Sequence, residues 1–266
     1  MKLCRISHLN FSTPRFAVVE ETKVYPLDET FSFDRIDTPR DDANSLDLND
    51  VQLLAPVTPS KIVCVGRNYL EHAAELGNKM PDEPLLFLKP PSSIISHDDA
   101  IRLPPQSQQV EHEGELGVVI GRTATRISED DDPLSYVFGY TCVNDVTARD
   151  LQRKDVQFTR GKSFDTFCPV GPWIVTDIDP TNASVTTRVN GETKQNGNTA
   201  DMAFPVAFLI RYISHIMTLN PGDLIATGTP AGVSRMKDMD EVEVEVGGIG
   251  VLKNLVVDPD KIRLKS

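Results

Sequence analysis

The segment "VEHEGELGVVIG", residues 110–121, places Glu111, Glu113 and Glu115 at every second position. Side chains of an extended chain alternate faces, so the three carboxylates would share one face. The sequence carries its own control in "DEVEVEVG", where Glu241, Glu243 and Glu245 are also spaced by two. There the intervening residues are all valine, which describes a half-exposed strand with a wet face. In the first segment the intervening residues are His112 and Gly114, and "LGVVIG" follows, apolar on both faces. Carboxylates at the mouth of a buried strand are costly unless neutralised. Like charges this close raise each other's pKa or recruit a cation. A hard divalent ion, Mg²⁺, Mn²⁺ or Ca²⁺, is a natural neutraliser. A solvated strand end would show the same spacing.

A two-carboxylate site is weak, and a third acid is expected from elsewhere. Asp145, in "CVNDVTARD", follows a strand-like run at the start of a polar helix; Asp150 is the alternative, with a helix-surface position as its simpler reading. His72 and Glu75, three residues apart in "NYLEHAAELGNKM", would lie on one helix face. A histidine oriented by a glutamate can serve as a general base, although a surface ion pair has the same spacing. Lys89 in "FLKPP" and Lys162 in "RGKSFD" are unspecific alone. "ATGTPAGV" (226–233) offers hydroxyls and backbone N–H groups that could receive an anion, as many surface turns do.

The elements that must position these residues are mostly short strands. "KIVCVG" (61–66) is a continuous apolar strand, 68–80 a helix stopped at Gly77, and "PLLFLK" extended. "TARDLQRKD" forms a short helix and "PVAFLIRYISHIMTL" an amphipathic one. Asn190-Gly191 marks a hairpin turn, and a second hairpin centres on Glu20–Thr22. The polar stretch 32–50 lies on the surface. Frequent Gly and Pro and few helices predict a β-dominated α+β fold. A small strand-rich unit is expected over 1–58 and a larger one over 59–266. No GxGxxG follows a strand, which disfavours a dinucleotide-binding sheet.

The 266 residues carry a net charge of −12, against a general nucleic-acid surface and against anionic membranes. No apolar run approaches the ~20 residues of a membrane span. "MKLCRISHLN" lacks the apolar stretch of a signal peptide, and Cys4, Cys64, Cys142 and Cys168 form no CxxC pair. These features predict buried thiols and a cytoplasmic location.

Taken together, "VGRNYLEHAAELG", "PLLFLKPPSS", "HEGELGVVIG", "NDVTARDLQ", "GKSFDTFCPVGPW", "VNGETKQNGNTADMAF" and "GDLIATGTPAGV" resemble the fumarylacetoacetate hydrolase family, in the family's order and over nearly all of 61–256. The resemblance implies a mixed β-roll, usually in a homodimer. It implies a Mg²⁺ or Mn²⁺ site built from Glu113, Glu115 and Asp145, with Ca²⁺ able to substitute. Glu111 falls outside the pair, as a bystander one step nearer solvent. Lys162 matches the family's K-S-F-D lysine. His72 and Glu75 match the H-x-x-E dyad of its lid helix, which would order over substrate. Arg67, Lys89, Gln152 and Thr229 match positions that border the substrate.

The chain is similar to the family's shorter branch, of acylpyruvate hydrolases, oxaloacetate decarboxylases and isomerase/decarboxylases of aromatic breakdown. The expected reaction is hydrolysis of a C–C bond in a 2,4-dioxo acid, giving pyruvate and an acid, with oxaloacetate decarboxylation on the same site. An isomerase of an unsaturated diacid is the alternative. It would want a further cation, for which Arg67, Lys79 and Lys89 are candidates. A non-catalytic Ca²⁺-binding β module would need neither the H-x-x-E pair nor Lys162.

Overall fold

The computed structural model describes residues 1–35 and 40–263. Strands dominate. The largest sheet runs, edge to edge, through Leu46–Asp47, Lys23–Pro26, Arg15–Glu20, Lys2–Ser7, Cys168–Val175, Val137–Asn144, Gly114–Ile120, Leu224–Ala226, Ile62–Gly66 and Leu85–Lys89. Most neighbours are antiparallel, but Leu224–Ala226 lies parallel to Ile62–Gly66, so the sheet is mixed. A second sheet of five strands is ordered Glu192–Asn198, Ser184–Val189, Glu241–Val246, Gly250–Val257 and Ala100–Arg102. The strands of residues 2–54 are continuous with the large sheet, because Lys2 and Leu3 pair with Val175 and Ile174.

The principal core lies between the sheets. Leu116, Val118 and Val63 of the large sheet meet Val244, Val246 and Leu252 of the second. The helix Val206–Ile216 closes one side with Leu209, Ile210 and Ile213, all fully buried. Those three positions follow the expected amphipathic spacing. A second core gathers Leu3, Phe33, Ile62, Val119, Phe138 and Ile174, knitting the amino-terminal strands to the rest.

Local expectations hold at several points. Asn190 and Gly191 adopt φ of 52° and 78°, the left-handed pair that a two-residue hairpin turn requires. Glu21 (φ 52°) turns the hairpin between Arg15–Glu20 and Lys23–Pro26. The helix expected over 68–80 is shorter, Leu70–Glu75. Gly77, at φ 69°, ends it, with its N–H bonded to Ala74 O and that of Asn78 to Ala73 O. Within 32–50 the described residues are exposed or half-buried except Phe33, and 36–39 lie outside the described residues. The four cysteines are buried free thiols. No described helix is long and apolar enough to cross a membrane.

Candidate active site

Glu111, Glu113 and Glu115 do not lie on one uninterrupted strand. Val110–Glu111 pairs with Thr147–Ala148, whereas Gly114–Ile120 pairs with Val137–Asn144. The chain bends between these ladders at His112 and Glu113. Asn144 Oδ1 accepts from Glu113 N at 2.9 Å, and Asp145 N donates to Glu113 O at 2.8 Å. Those two bonds bring Asp145 beside the glutamates although it is 30 residues further along the chain. Carboxylate oxygens of Glu113, Glu115 and Asp145 all lie within 4.8 Å of one another, and all three residues are buried. The control strand behaves as its valines dictate: along Glu241–Val246 the valines are buried and the glutamates half-exposed, paired to Arg188 and Lys253.

Gly114, between the two glutamates, has no room for a side chain. A Cβ there would stand 2.1 Å from Thr187 Oγ1 and 3.2 Å from Val244 Cγ1. The fully buried Gln195 clamps this peptide. Its Oε1 accepts from Gly114 N at 2.9 Å and lies 3.2 Å from His112 Nδ1. Its Nε2 donates to Thr229 Oγ1 and to Pro230 O, both at 2.7 Å. Thr229 Oγ1 in turn donates to Gly114 O at 2.8 Å.

The carboxylates meet a matching set of cations. Lys162 Nζ lies 2.6 Å from both Glu113 Oε2 and Asp145 Oδ2. Lys89 Nζ bonds Asp145 Oδ1 at 2.7 Å and Val146 O at 3.1 Å. Arg149 bonds Glu111 through Nε at 2.7 Å, Glu113 through Nη2, and Gln152 Oε1 through Nη1 at 2.6 Å. Burial alone would raise the pKa of Glu113, yet Lys162 and Arg149 hold it well below the ordinary carboxylate range. Glu115 is pushed well upward, first by burial and then by Asp145 and Glu113. Gly228 N, at 2.8 Å, is its hydrogen-bond donor.

This donor set fits a hard divalent cation. The ligands of one Mg²⁺, Mn²⁺ or Ca²⁺ lie at most about 4–5 Å apart, twice the metal–oxygen distance. All three groups are oxygen donors, and Glu115 is a buried carboxylate short of positive charge.

His72 lines the same cavity, which has a volume of about 300 Å³, and Glu75 stands behind it, reaching the cavity only through the histidine. His72 is buried, and its Nδ1 lies 3.4 Å from Glu75 Oε2, a long hydrogen bond. Burial lowers the His72 pKa, with Glu113 pulling the other way, and the imidazole is neutral near pH 7. Glu75 also accepts from Gly232 N at 3.1 and 3.2 Å. The 226–233 turn therefore does present N–H groups to anions, but the anions are the protein's own Glu115 and Glu75. Gly232, at φ 103°, permits this, since a Cβ there would stand 1.9 Å from Lys194 O.

Arg67, Gln152 and Thr229 also line the cavity. Lys89 does not; it sits behind Asp145, fully buried. Asp150 is excluded from the cluster, because it caps the preceding loop through Ser107 Oγ and Gln108 N. Glu111 requires correction. It is no bystander: at 6% exposed it is buried nearly as deeply as Glu113, at 4%, and it pairs with Arg149. The bend at 112–113 turns it inward. Arg149 itself was missed, although it stands in the quoted motif "NDVTARDLQ", three residues before Gln152 and so on the same helix face.

Comparison with known proteins agrees with this geometry. Residues 61–257 match the fumarylacetoacetate (FAA) hydrolase C-terminal family. The chain belongs to that family. Its members are enzymes, among them oxaloacetate tautomerases, hydrolases and isomerases. Residues 1–56 match the Rv2993c-like N-terminal family. Oxaloacetate tautomerase YisK of Bacillus subtilis (strain 168) is 43% identical over 235 residues, covering 82% of this chain and 78% of that protein. The crystal structure of 2-hydroxyhepta-2,4-diene-1,7-dioate isomerase from Mycobacterium marinum aligns with a TM-score of 0.87 at 42% identity, over 97% of this chain and 99% of that one. Maleylpyruvate hydrolase from Sphingobium sp. SYK-6, in complex with manganese (II) ion and pyruvate, aligns with a TM-score of 0.78 at 29% identity, over 97% and 99%.

Proposed function

We propose that this chain is a divalent-metal enzyme that moves a proton at the carbon beside the 2-oxo group of a small 2-oxo acid, interconverting keto and enol forms. The observation that carries this reading is the joining of three buried carboxylates and a neutral, buried histidine in one small cavity. A volume of about 300 Å³ is at the small end for ligand sites, in keeping with a small acid. Relatives named oxaloacetate tautomerase support the same chemistry.

Glu113, Glu115 and Asp145 would hold Mg²⁺ or Mn²⁺, which when bound polarises the oxo group and eases loss of the neighbouring proton. His72 is the base. Glu75 engages Nδ1, which leaves Nε2 as the unprotonated nitrogen that takes the proton and returns it. Positioned general bases of this kind contribute about 10²–10⁴-fold. Lys162 offers two N–H bonds to Glu113 and Asp145, leaving a third to face charge developing on the substrate oxygen. Thr229, Gln152 and Arg67 border the acid, and the helix Leu70–Glu75 covers it as a lid.

A second reading is hydrolysis of an acylpyruvate C–C bond, favoured by the His72–Glu75 pair, which suits activation of water as well as of a C–H proton. Two assays with Mg²⁺ or Mn²⁺ separate them: decay of the enol absorbance of freshly dissolved oxaloacetate, and pyruvate release from acetylpyruvate. Faster ketonisation, abolished by Glu113→Gln and by His72→Asn, is the expected result. Pyruvate release without accelerated ketonisation would replace the first reading by the second, and neither activity would overturn both.

A further inference from the structure

A lysine on the far side of Asp145 serves the site from outside the cavity. Lys89 is 1% exposed and does not line the cavity, although its place in the family's pattern would border the substrate. Its ammonium makes two bonds, to Asp145 Oδ1 at 2.7 Å and to Val146 O at 3.1 Å. Asp145 Oδ2 instead meets Lys162, which also bonds Glu113 Oε2. The two carboxylate oxygens are thereby distinguished: Oδ2 faces the side of Glu113, and Oδ1 faces Lys89. The χ2 torsion of an aspartate is broad, so a carboxylate held at one oxygen can swing. Lys89 holds the second oxygen and, through Val146 O, the main chain next to it.

The strand that carries Lys89 supports the same corner twice. Side chains alternate along Leu85–Lys89: Leu88 is 48% exposed, and Phe87 and Lys89 share the opposite face. Phe87 lies under Lys162, whose Nζ stands 4.9 Å from the ring centroid. One strand face therefore holds Asp145 directly and backs Lys162. Burying an ammonium is costly, so a residue needed there only to fill space would serve better as an apolar one.

We propose that Lys89 is a positioning residue for the metal site, fixing the Asp145 carboxylate for the cation and touching no substrate. The proposal rests on the metal reading above. Groups that orient a metal ligand in this way change metal affinity by about 10–100-fold when removed. If Lys89 only repelled the ion, its loss would tighten binding instead.

The test is calorimetric titration of Mn²⁺ into the full-length wild type, Lys89→Met, Lys89→Arg and Ile210→Val. Lys89→Met should bind Mn²⁺ at least ~10-fold more weakly. Lys89→Arg, which keeps the charge and the donors, should lose less. Ile210→Val, a change in the core beneath the helix Val206–Ile216, should lower Tm and leave Mn²⁺ affinity as it was. At saturating Mn²⁺, oxalate should bind Lys89→Met within about 2–3-fold of wild type, as for groups that do not interact. Acetic anhydride labelling of the wild type needs no variant to fold. It should leave Lys89 unmodified with and without Mn²⁺ and oxalate. Unchanged or tighter Mn²⁺ binding by Lys89→Met, oxalate weakened more than Mn²⁺, or a label on Lys89 that oxalate suppresses would overturn the proposal and leave the metal reading standing. A wild type that binds no Mn²⁺ would overturn both.

Discussion

Replacing Arg149 by methionine isolates the electrostatics on which the site depends. The guanidinium is 2% exposed and bonds two carboxylates, on Glu111 and Glu113, themselves 6% and 4% exposed. Methionine keeps much of the volume but leaves Glu111 with Gln109 Nε2, at 2.6 Å, as its remaining side-chain partner. Glu113 retains Lys162 at 2.6 Å, so the damage falls mainly on Glu111. Removing one partner of a buried pair costs about 3–5 kcal/mol, because the other charge stays buried. For a chain of this length each kcal/mol is worth roughly 2–4 °C, so Tm should fall by about 10 °C. Removing the orphaned charge as well should reverse much of the loss. Glu111→Met with Arg149→Met should therefore be more stable than Arg149→Met alone, giving a coupling of about 1–3 kcal/mol in a double-mutant cycle. Urea unfolding of the four proteins, without added metal, measures this. A single-variant loss below ~1 kcal/mol, or a double variant whose losses simply add, would refute the claim that Glu111 is held inward by charge.

Three further outcomes are expected. Because burial lowers the His72 pKa, the base stays competent as pH falls to its ordinary value of 6.5. The acid limb of kcat/KM should lie below that pH and vanish from the residual activity of His72→Asn; a limb above 6.5 would show that a different group titrates. Gly114→Ala forces a Cβ against Thr187 and Val244 and should cost about 1–3 kcal/mol in urea unfolding while lowering Mn²⁺ affinity, whereas an unchanged protein would show that the 113–115 peptide can shift freely. Glu243→Gln, on the wet face of Glu241–Val246, should change stability by less than ~1 kcal/mol and leave Mn²⁺ affinity as it was, as melts with and without the ion would report.

Much of the site was legible because its members carry local signatures. Glu113 and Glu115 differ from Glu243 and Glu245 in what lies between and after them, and that contrast separated a buried pair from a wet strand face. His72 and Glu75 were visible through helical spacing. Fold class followed from strand and turn signals, with Asn190-Gly191 the plainest. The misjudged residues share a cause. Glu111 was read as an extension of a regular strand, but two consecutive residues, His112 and Glu113, leave the ladder and reset which way it faces. Such a bend depends on pairing with Asn144 and Thr147, more than 30 positions away, and alternation along one segment cannot reveal it. Arg149 and Gln195 act through partners still farther along the chain, 38 and 81 positions away. The helix at 70–75 stops at Gly77 as expected, but it begins two residues later than 68 because Tyr69 is extended.

The segment 228–232 secures Glu115 and Glu75 through the main-chain N–H groups of Gly228 and Gly232. Donors of this kind are present whatever side chains the segment carries, provided the backbone keeps its path. Inheritance can thus treat its positions unequally. The two glycines, at φ 101° and 103°, admit almost no variation. Position 229 between them also reaches the cavity, but its hydroxyl ties Gly114 O and Gln195 Nε2, so a new preference for one acid over another could arise there only through a residue that keeps that hydroxyl, such as serine.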